Sequence, residues 1–320
     1  MALEIHFIDV GQGDATLLTY DSPDGVRRNI LVDGAAESHG EQVVAYLREQ
    51  GIDRLHLVVA THVDDDHIAG LLQVVAQFPV ARFWGPDPKR SAPLRPLVQA
   101  ASAATPAAGG QEAGLITVES VNTYDRLHAL ALSRGALVEY PEMGHDASYL
   151  FPGLEVRVMG PSSELAAFST PSAVPAEDEL GILSTETNNA SIVLRVGLGG
   201  QFVLLPGDAE LKAWHAMIAQ WGAGLHARVL KLAHHGSSNG TDQQVLQTVR
   251  PRQAVISVGP NSYKHPSAKV LELLTAPVQT LRTDQQGTIV IRFEEPAPVP
   301  VEGPPPRSWW QRLLAFLFGH

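Results

Sequence analysis

The chain has 320 residues, 44% of them hydrophobic and 18% charged, enough to bury a substantial core in one large domain or two closely packed halves. Its 23 Lys+Arg against 34 Asp+Glu leave a formal charge of -11, which works against broad, sequence-independent capture of nucleic acid through phosphate contacts. Cysteine is absent, which excludes disulfides, thiolate catalysis and zinc-thiolate sites, so any metal must sit on imidazole and carboxylate.

The N-terminus, MALEIHFIDVGQGD, has no basic segment followed by a continuous apolar run, so a cleaved secretory signal is not expected and a cytoplasmic location is the default. Short runs rich in Ile, Val and Leu predict strands at Glu4 to Val10, Ala15 to Tyr20, Arg28 to Val32 and Leu55 to Ala60. Before the last of these, Val43, Val44 and Leu47 fall at helical spacing, predicting a helix from Glu41 to Gln50 that Gly51 ends. The segment HVDDDH follows the fourth strand directly. From Pro86 to Gly114 the sequence is rich in Pro, Ala and Gly, and reads as a variable insertion or a lid. A helix around Asn122 to Arg134 and a strand at Leu154 to Met159 come next, then an irregular stretch from Ser162 to Thr187. Two strands, Ser191 to Val196 and Phe202 to Leu205, flank GLGG as a hairpin. Beyond Gly207-Asp208 come a helix from Glu210 to Gln220, a strand at Val229 to Leu232 ending in HHGSSNG, a helix near Asp242 to Val249 and a strand at Ala254 to Val258. The turn GPNSYKHP, a helix from Ala268 to Leu274 and a final strand pair, Val278 to Leu281 and Thr288 to Phe293, complete the regular part.

Two strand-rich halves, each supplied with helices, predict two sheets back to back with helices outside, an α+β fold of αββα sandwich type. The expected organisation is one domain over 1–294, a proline-rich linker over 295–306 and an amphipathic tail over 307–320. The tail segment WWQRLLAFLF is shorter than the roughly 20 apolar residues of a membrane span. It is read as a surface that docks on its own domain or a neighbouring subunit, or as an interfacial membrane attachment. Oligomeric state is not legible.

Three constellations carry chemistry. Thr61-His62-Val63-Asp64-Asp65-Asp66-His67 packs imidazoles and carboxylates behind an apolar strand, where mutual repulsion demands a cation or raised pKa values. Alone, a DDD run is a solvated turn. Gly207-Asp208 ends a second strand, and alone is an ordinary turn. His234-His235 ends a third, followed by small residues that permit close backbone approach. All three at strand ends in one chain point to a single site.

These residues resemble the HxDxDH signature of metallo-β-lactamase-fold hydrolases, in a variant with Asp at the middle position. The wider sequence resembles the soluble hydrolase domain of ComEC-type competence proteins through IDVGQGDAT at Ile8 to Thr16, ILVDGA at Ile30 to Ala35, NNASIVLRV at Asn188 to Val196, LLPGDAE at Leu204 to Glu210, LKLAHHGSSNGT at Leu230 to Thr241 and SVGPNSYKHPSAKVLELL at Ser257 to Leu274. The resemblance implies two divalent ions, Zn²⁺ or Mn²⁺, that activate a hydroxide. His62 and Asp64 would hold one ion, Asp66 and His67 the other, and Asp208 would bridge them. His234 and His235 would complete the shells, their division left open. The family's further histidine has its approximate place taken here by Asn188-Asn189, which implies weaker binding of one ion. Asp64 or Asp66 would accept the proton, and His265 would act as a phosphate-side donor or general acid. Asn261, Ser237 and Ser238 would contact the same group. Asp14 and Asp33 would support the site, although for Asp33 a turn-pinning role is the stronger expectation. His6, His56, His128, His145, His215 and His226 are expected at ordinary core or surface positions. The implied activity is cleavage of phosphodiesters, with single-stranded DNA as the leading substrate. The alternatives are a small-molecule hydrolase acting on phosphocholine or another phosphoester, a lactone or an amide, and a non-catalytic binding module.

Overall fold

The structure is a computed structural model that describes residues 1–91, 96, 118–166 and 179–295. The greater part of the Pro86 to Gly114 insertion, the middle of the Ser162 to Thr187 stretch, the linker and the WWQRLLAFLF tail lie outside the described residues.

The first sheet begins as an antiparallel meander of β1 (Ala2–Phe7), β2 (Thr16–Asp21) and β3 (Arg27–Val32). It continues in parallel through β4 (Leu57–Val59), β5 (Arg82–Trp84) and β6 (Leu137–Glu139). The second sheet holds β7 (Glu155–Gly160), β8 (Val193–Leu198) and β9 (Gln201–Leu205) in antiparallel order, then β10 (Val229–Lys231), β11 (Gln253–Ile256) and β12 (Gln279–Arg282), all parallel to β9. The last strand, β13 (Ile289–Glu294), pairs antiparallel with β1 and closes the seven-stranded order β13-β1-β2-β3-β4-β5-β6.

Alternation explains the layering. Leu3, Ile5 and Phe7 of β1 and Leu18 and Tyr20 of β2 share the core between the sheets with Leu194, Val196, Val203 and Val229 of the facing sheet. On the outer face of the first sheet, Leu17, Leu31 and Val58 pack under helices Gly40–Glu49, Leu71–Gln77 and Val118–Ser133 through Val43, Leu47, Val74 and Leu127. On the outer face of the second, Leu204, Leu230 and Ala254 pack under helices Leu211–Trp221, Gln243–Val249 and Ala268–Leu273 through Trp214, Val245 and Val270. The expected αββα sandwich is the observed architecture.

Two expectations need correction, and two short strands were not anticipated. The final strands are not a pair: β12 edges the second sheet while β13 joins the first, because the alternating apolar face of Ile289, Ile291 and Phe293 fits beside β1. The two sheets therefore do not divide into chain halves. The stretch read as irregular to Thr187 ends in helix Glu179–Asn189, which Gly181 and the prolines before it obscure in sequence. β5 and β6, three residues each, are too short to give a period-two signal.

Candidate metal centre

The site forms where loops from both sheets meet. Gly13, at φ 131°, lies so close to the chain after β4 that a Cβ there would stand 2.5 Å from the Asp66 carbonyl oxygen. The Asp14 amide donates to that same carbonyl at 3.1 Å. Gly207, at φ 56°, brings the turn after β9 against Thr61, and the Ile192 amide donates to the Thr61 carbonyl at 2.8 Å. These close approaches join the first sheet's HVDDDH loop to the second sheet's Gly-Asp turn.

Asp14, His67, Asp208 and His235 are all buried and each offers a ligand atom within 4.8 Å of the others. His67 Nε2 lies 3.2 Å from Asp208 Oδ1 and 3.7 Å from Asp14 Oδ2. His235 Nε2 lies 3.2 Å from Asp66 Oδ2 and 3.7 Å from Asp208 Oδ2. His62 Nε2 is 3.7 Å from Asp64 Oδ2, and its ring centroid is 4.3 Å from that of His67. His234 sits at the rim, 3.9 Å from Asp208 Oδ2 and 3.5 Å from Glu210 Oε1. The structure thus separates the adjacent histidines: His235 faces Asp66, His67 and Asp208, while His234 turns toward Glu210. Both adopt left-handed backbone, at φ 50° and 51°, a conformation that costs a non-glycine residue about 1–3 kcal/mol and tends to occur at functional sites.

Hydrogen bonds aim the rings. Asp33 accepts from the Thr61 hydroxyl at 2.8 Å and from His67 Nδ1 at 2.8 Å. With its proton given to Asp33, the Thr61 hydroxyl can only accept from His62 Nδ1, 3.0 Å away. One carboxylate therefore turns Nε2 of two imidazoles toward the centre. The Ser257 carbonyl does the same for His235, accepting from Nδ1 at 3.0 Å. Nε2 of His62, His67 and His235, with Oδ1 of Asp64 and Asp208, are buried without hydrogen-bond partners. Buried polar atoms without partners are costly, and this set of imidazole nitrogens and carboxylate oxygens suits a divalent ion.

Without an ion, protons on the imidazoles balance the buried carboxylates, a role that a bound divalent ion would take over. Burial works against the His67 cation, but Asp208 and Asp33 outweigh it and hold its pKa well above the usual range. Burial likewise works against ionised Asp208, yet His67, His235 and His234 hold its carboxyl well below the usual range. His234 is raised to about 9: burial opposes its charge, and Asp208 and Glu210 prevail. The permanent cation in the cluster is Lys231, buried at the end of β10 and paired with Asp14. Burial opposes its charge, but Asp14, with Asp208 and Asp33 behind it, raises its pKa.

Residues 8–148 match the model of the metallo-beta-lactamase superfamily. The crystal structure of CmlA, a diiron beta-hydroxylase from Streptomyces venezuelae, superposes with a TM-score of 0.51 at 11% identity, covering 91% of this chain and 54% of that one. The fold is the metallo-β-lactamase fold. Among curated proteins, ComE operon protein 3 of Bacillus subtilis is 28% identical over 308 residues, 91% of this chain and 33% of that protein. Competence protein ComA of Neisseria gonorrhoeae is 38% identical over 106 residues, 32% of this chain and 15% of that protein. The chain resembles ComEC-like proteins and spans about a third of the first relative's length.

Within the metallo-β-lactamase fold, the structure brings His62, Asp64, Asp66, His67, Asp208, His234 and His235 together at one centre. Asn188 reaches the rim as well: its amide donates to Glu210 at 3.2 Å, and its buried Oδ1 has no hydrogen-bond partner. His265 lies beside His234, ring centroids 5.5 Å apart. Burial, then the charges of His234 and His235, lower its pKa to about 4. Asn261 is occupied otherwise than expected, because its side chain clips its own loop, donating to the Gly259 and His265 carbonyls and accepting from the His265 amide, each at 2.9 Å. Ser237 accepts from the Asn239 amide at 3.2 Å and serves its turn. Lys231 was not anticipated at the centre, and Asp14 was expected there only in a supporting place. A lysine inside an otherwise apolar strand, VLKLA, was the available signal.

Asp33 is expected to matter through His62 and His67. Asp33→Asn should weaken divalent-metal binding about 10–100-fold, the range typical of residues that orient ligands. Titration against a chelator checks this; unchanged affinity would reduce Asp33 to pinning its turn.

Proposed function

We propose that the chain is a metal-dependent phosphodiesterase, binding two divalent ions, Zn²⁺ or Mn²⁺, and acting foremost on single-stranded DNA. The observation that carries the reading is the buried convergence of His62, Asp64, His67, Asp208 and His235, whose ligand atoms have no hydrogen-bond partner. The choice of substrate rests on the resemblance to ComEC-like proteins.

His62, Asp64, Asp66, His67, Asp208 and His235 would hold the ions. Bound divalent ions lower the pKa of water and neutralise charge on the phosphate. The chain's own residues do the rest. Asp33 and Ser257 fix the imidazoles, so no reorientation accompanies binding. Asp64, with its partnerless Oδ1, accepts the proton of the attacking water. His265 is neutral near pH 7 and donates an N–H to a phosphate oxygen rather than delivering a proton as imidazolium.

Protein stripped of metal and reloaded with Mn²⁺ or Zn²⁺ should bind about two ions and cleave labelled single-stranded DNA faster than duplex. Cleavage of bis(p-nitrophenyl) phosphate alone would retain the centre and discard the substrate. Failure to bind metal would overturn the reading.

A further inference from the structure

At the other end of the second sheet, an open groove of about 800 Å³ is lined by Arg195, Arg228, Arg250 and Arg252 with Phe202 and His226. It gathers at the N-terminal ends of β9, β10, β11 and β12, whereas the metal centre lies beyond the C-terminal ends of β9 and β10. None of its lining residues belongs to that centre.

Four arginines line this groove in a chain of formal charge -11. Their neighbours compensate little of the guanidinium charge. Arg195 lies over the Phe202 ring and has Glu155 3.9 Å away, an exposed carboxylate. Arg228 bonds the neutral amide of Gln201, and Arg250 donates to the Gln247 carbonyl at 3.1 Å. Among the described residues, neither Arg250 nor Arg252 is paired with a carboxylate, and both are exposed. The backbone holds the arrangement rigid, since the Arg252 and Gln253 amides both donate to the Arg228 carbonyl and the Gln279 amide donates to that of Arg252. Gln253 and Gln279, both in the lining, are tied by a hydrogen bond from the Gln253 amide to Gln279 at 3.0 Å.

We propose that this groove is a second binding site for the phosphate backbone of a single-stranded nucleic acid, separate from the metal centre. The choice of strand rests on the proposed function. Concavity favours a strand over a lipid surface, because a flat bilayer cannot enter a groove, and arginine forks suit phosphate oxygens.

The test is fluorescence anisotropy of a labelled oligothymidylate with the full chain in EDTA, so that binding is read without the metal centre. The variant is Arg250→Asn with Arg252→Glu. Asparagine suits position 250 because that residue has φ 53°, and both sites are exposed, so thermal melting should match the parent. Affinity at about 0.15 M salt should fall about tenfold, and the slope of log K against log salt should shrink by about 1.4, two contacts at about 0.7 each. Cleavage of bis(p-nitrophenyl) phosphate should be unchanged. Equal affinity and slope in parent and variant would overturn the proposal, as would arginine-dependent sedimentation with anionic phospholipid vesicles and no oligonucleotide binding. If the groove binds as expected while metal-loaded protein cleaves no DNA, the nuclease reading fails and the groove stands.

Discussion

Asp208→Ala is expected to abolish metal-dependent cleavage, lowering the rate more than about 100-fold, beyond the usual cost of losing a residue that only supports a ligand. Asp208 is the carboxylate within 4 Å of three imidazoles, those of His67, His234 and His235. It comes from the second sheet, while His67 comes from the first, so it is also the link across the centre. Its removal should not unfold the chain, because the histidines it holds charged can release their protons. Metal content and phosphodiester cleavage, measured on protein with parent-like circular dichroism, give the answer. Cleavage within about tenfold of the parent would mean that the centre does not run the chemistry.

Lys231→Met should act on stability instead. Lys231 and Asp14 are both buried, and their pairing is the direct compensation for the Asp14 carboxylate. Methionine keeps the length but leaves that carboxylate without its partner, a loss of about 3–5 kcal/mol for a broken buried pair. Denaturant unfolding should show it as a lower midpoint with an unchanged slope. Adding Asp14→Asn should recover much of the loss, because deleting both charges is far less costly than deleting one. A loss below about 1 kcal/mol in the single variant would show that Asp14 finds compensation elsewhere, and the pair would lose its structural role.

Strand ends were legible because short apolar runs stop at turn residues, and the three motifs stand at such ends. The αββα layering followed from the same alternation. Less legible were the short strands β5 and β6, the helix Glu179–Asn189 and the destination of β13, whose pairing with β1 joins positions at opposite ends of the chain.

The site divides in the same way. The sequence by itself determined which side chains share a loop: His62 to His67 are close because the chain makes them close, and no packing is needed to say so. Only the tertiary structure decided that His235 rather than His234 faces Asp66, that Asp33 orients two imidazoles, that Lys231 meets Asp14, and that four arginines from separate strands and turns share one groove. The physical reason is that local spacing governs neighbours along the chain, whereas sheet register and back-to-back packing bring together residues with no periodic relation in sequence.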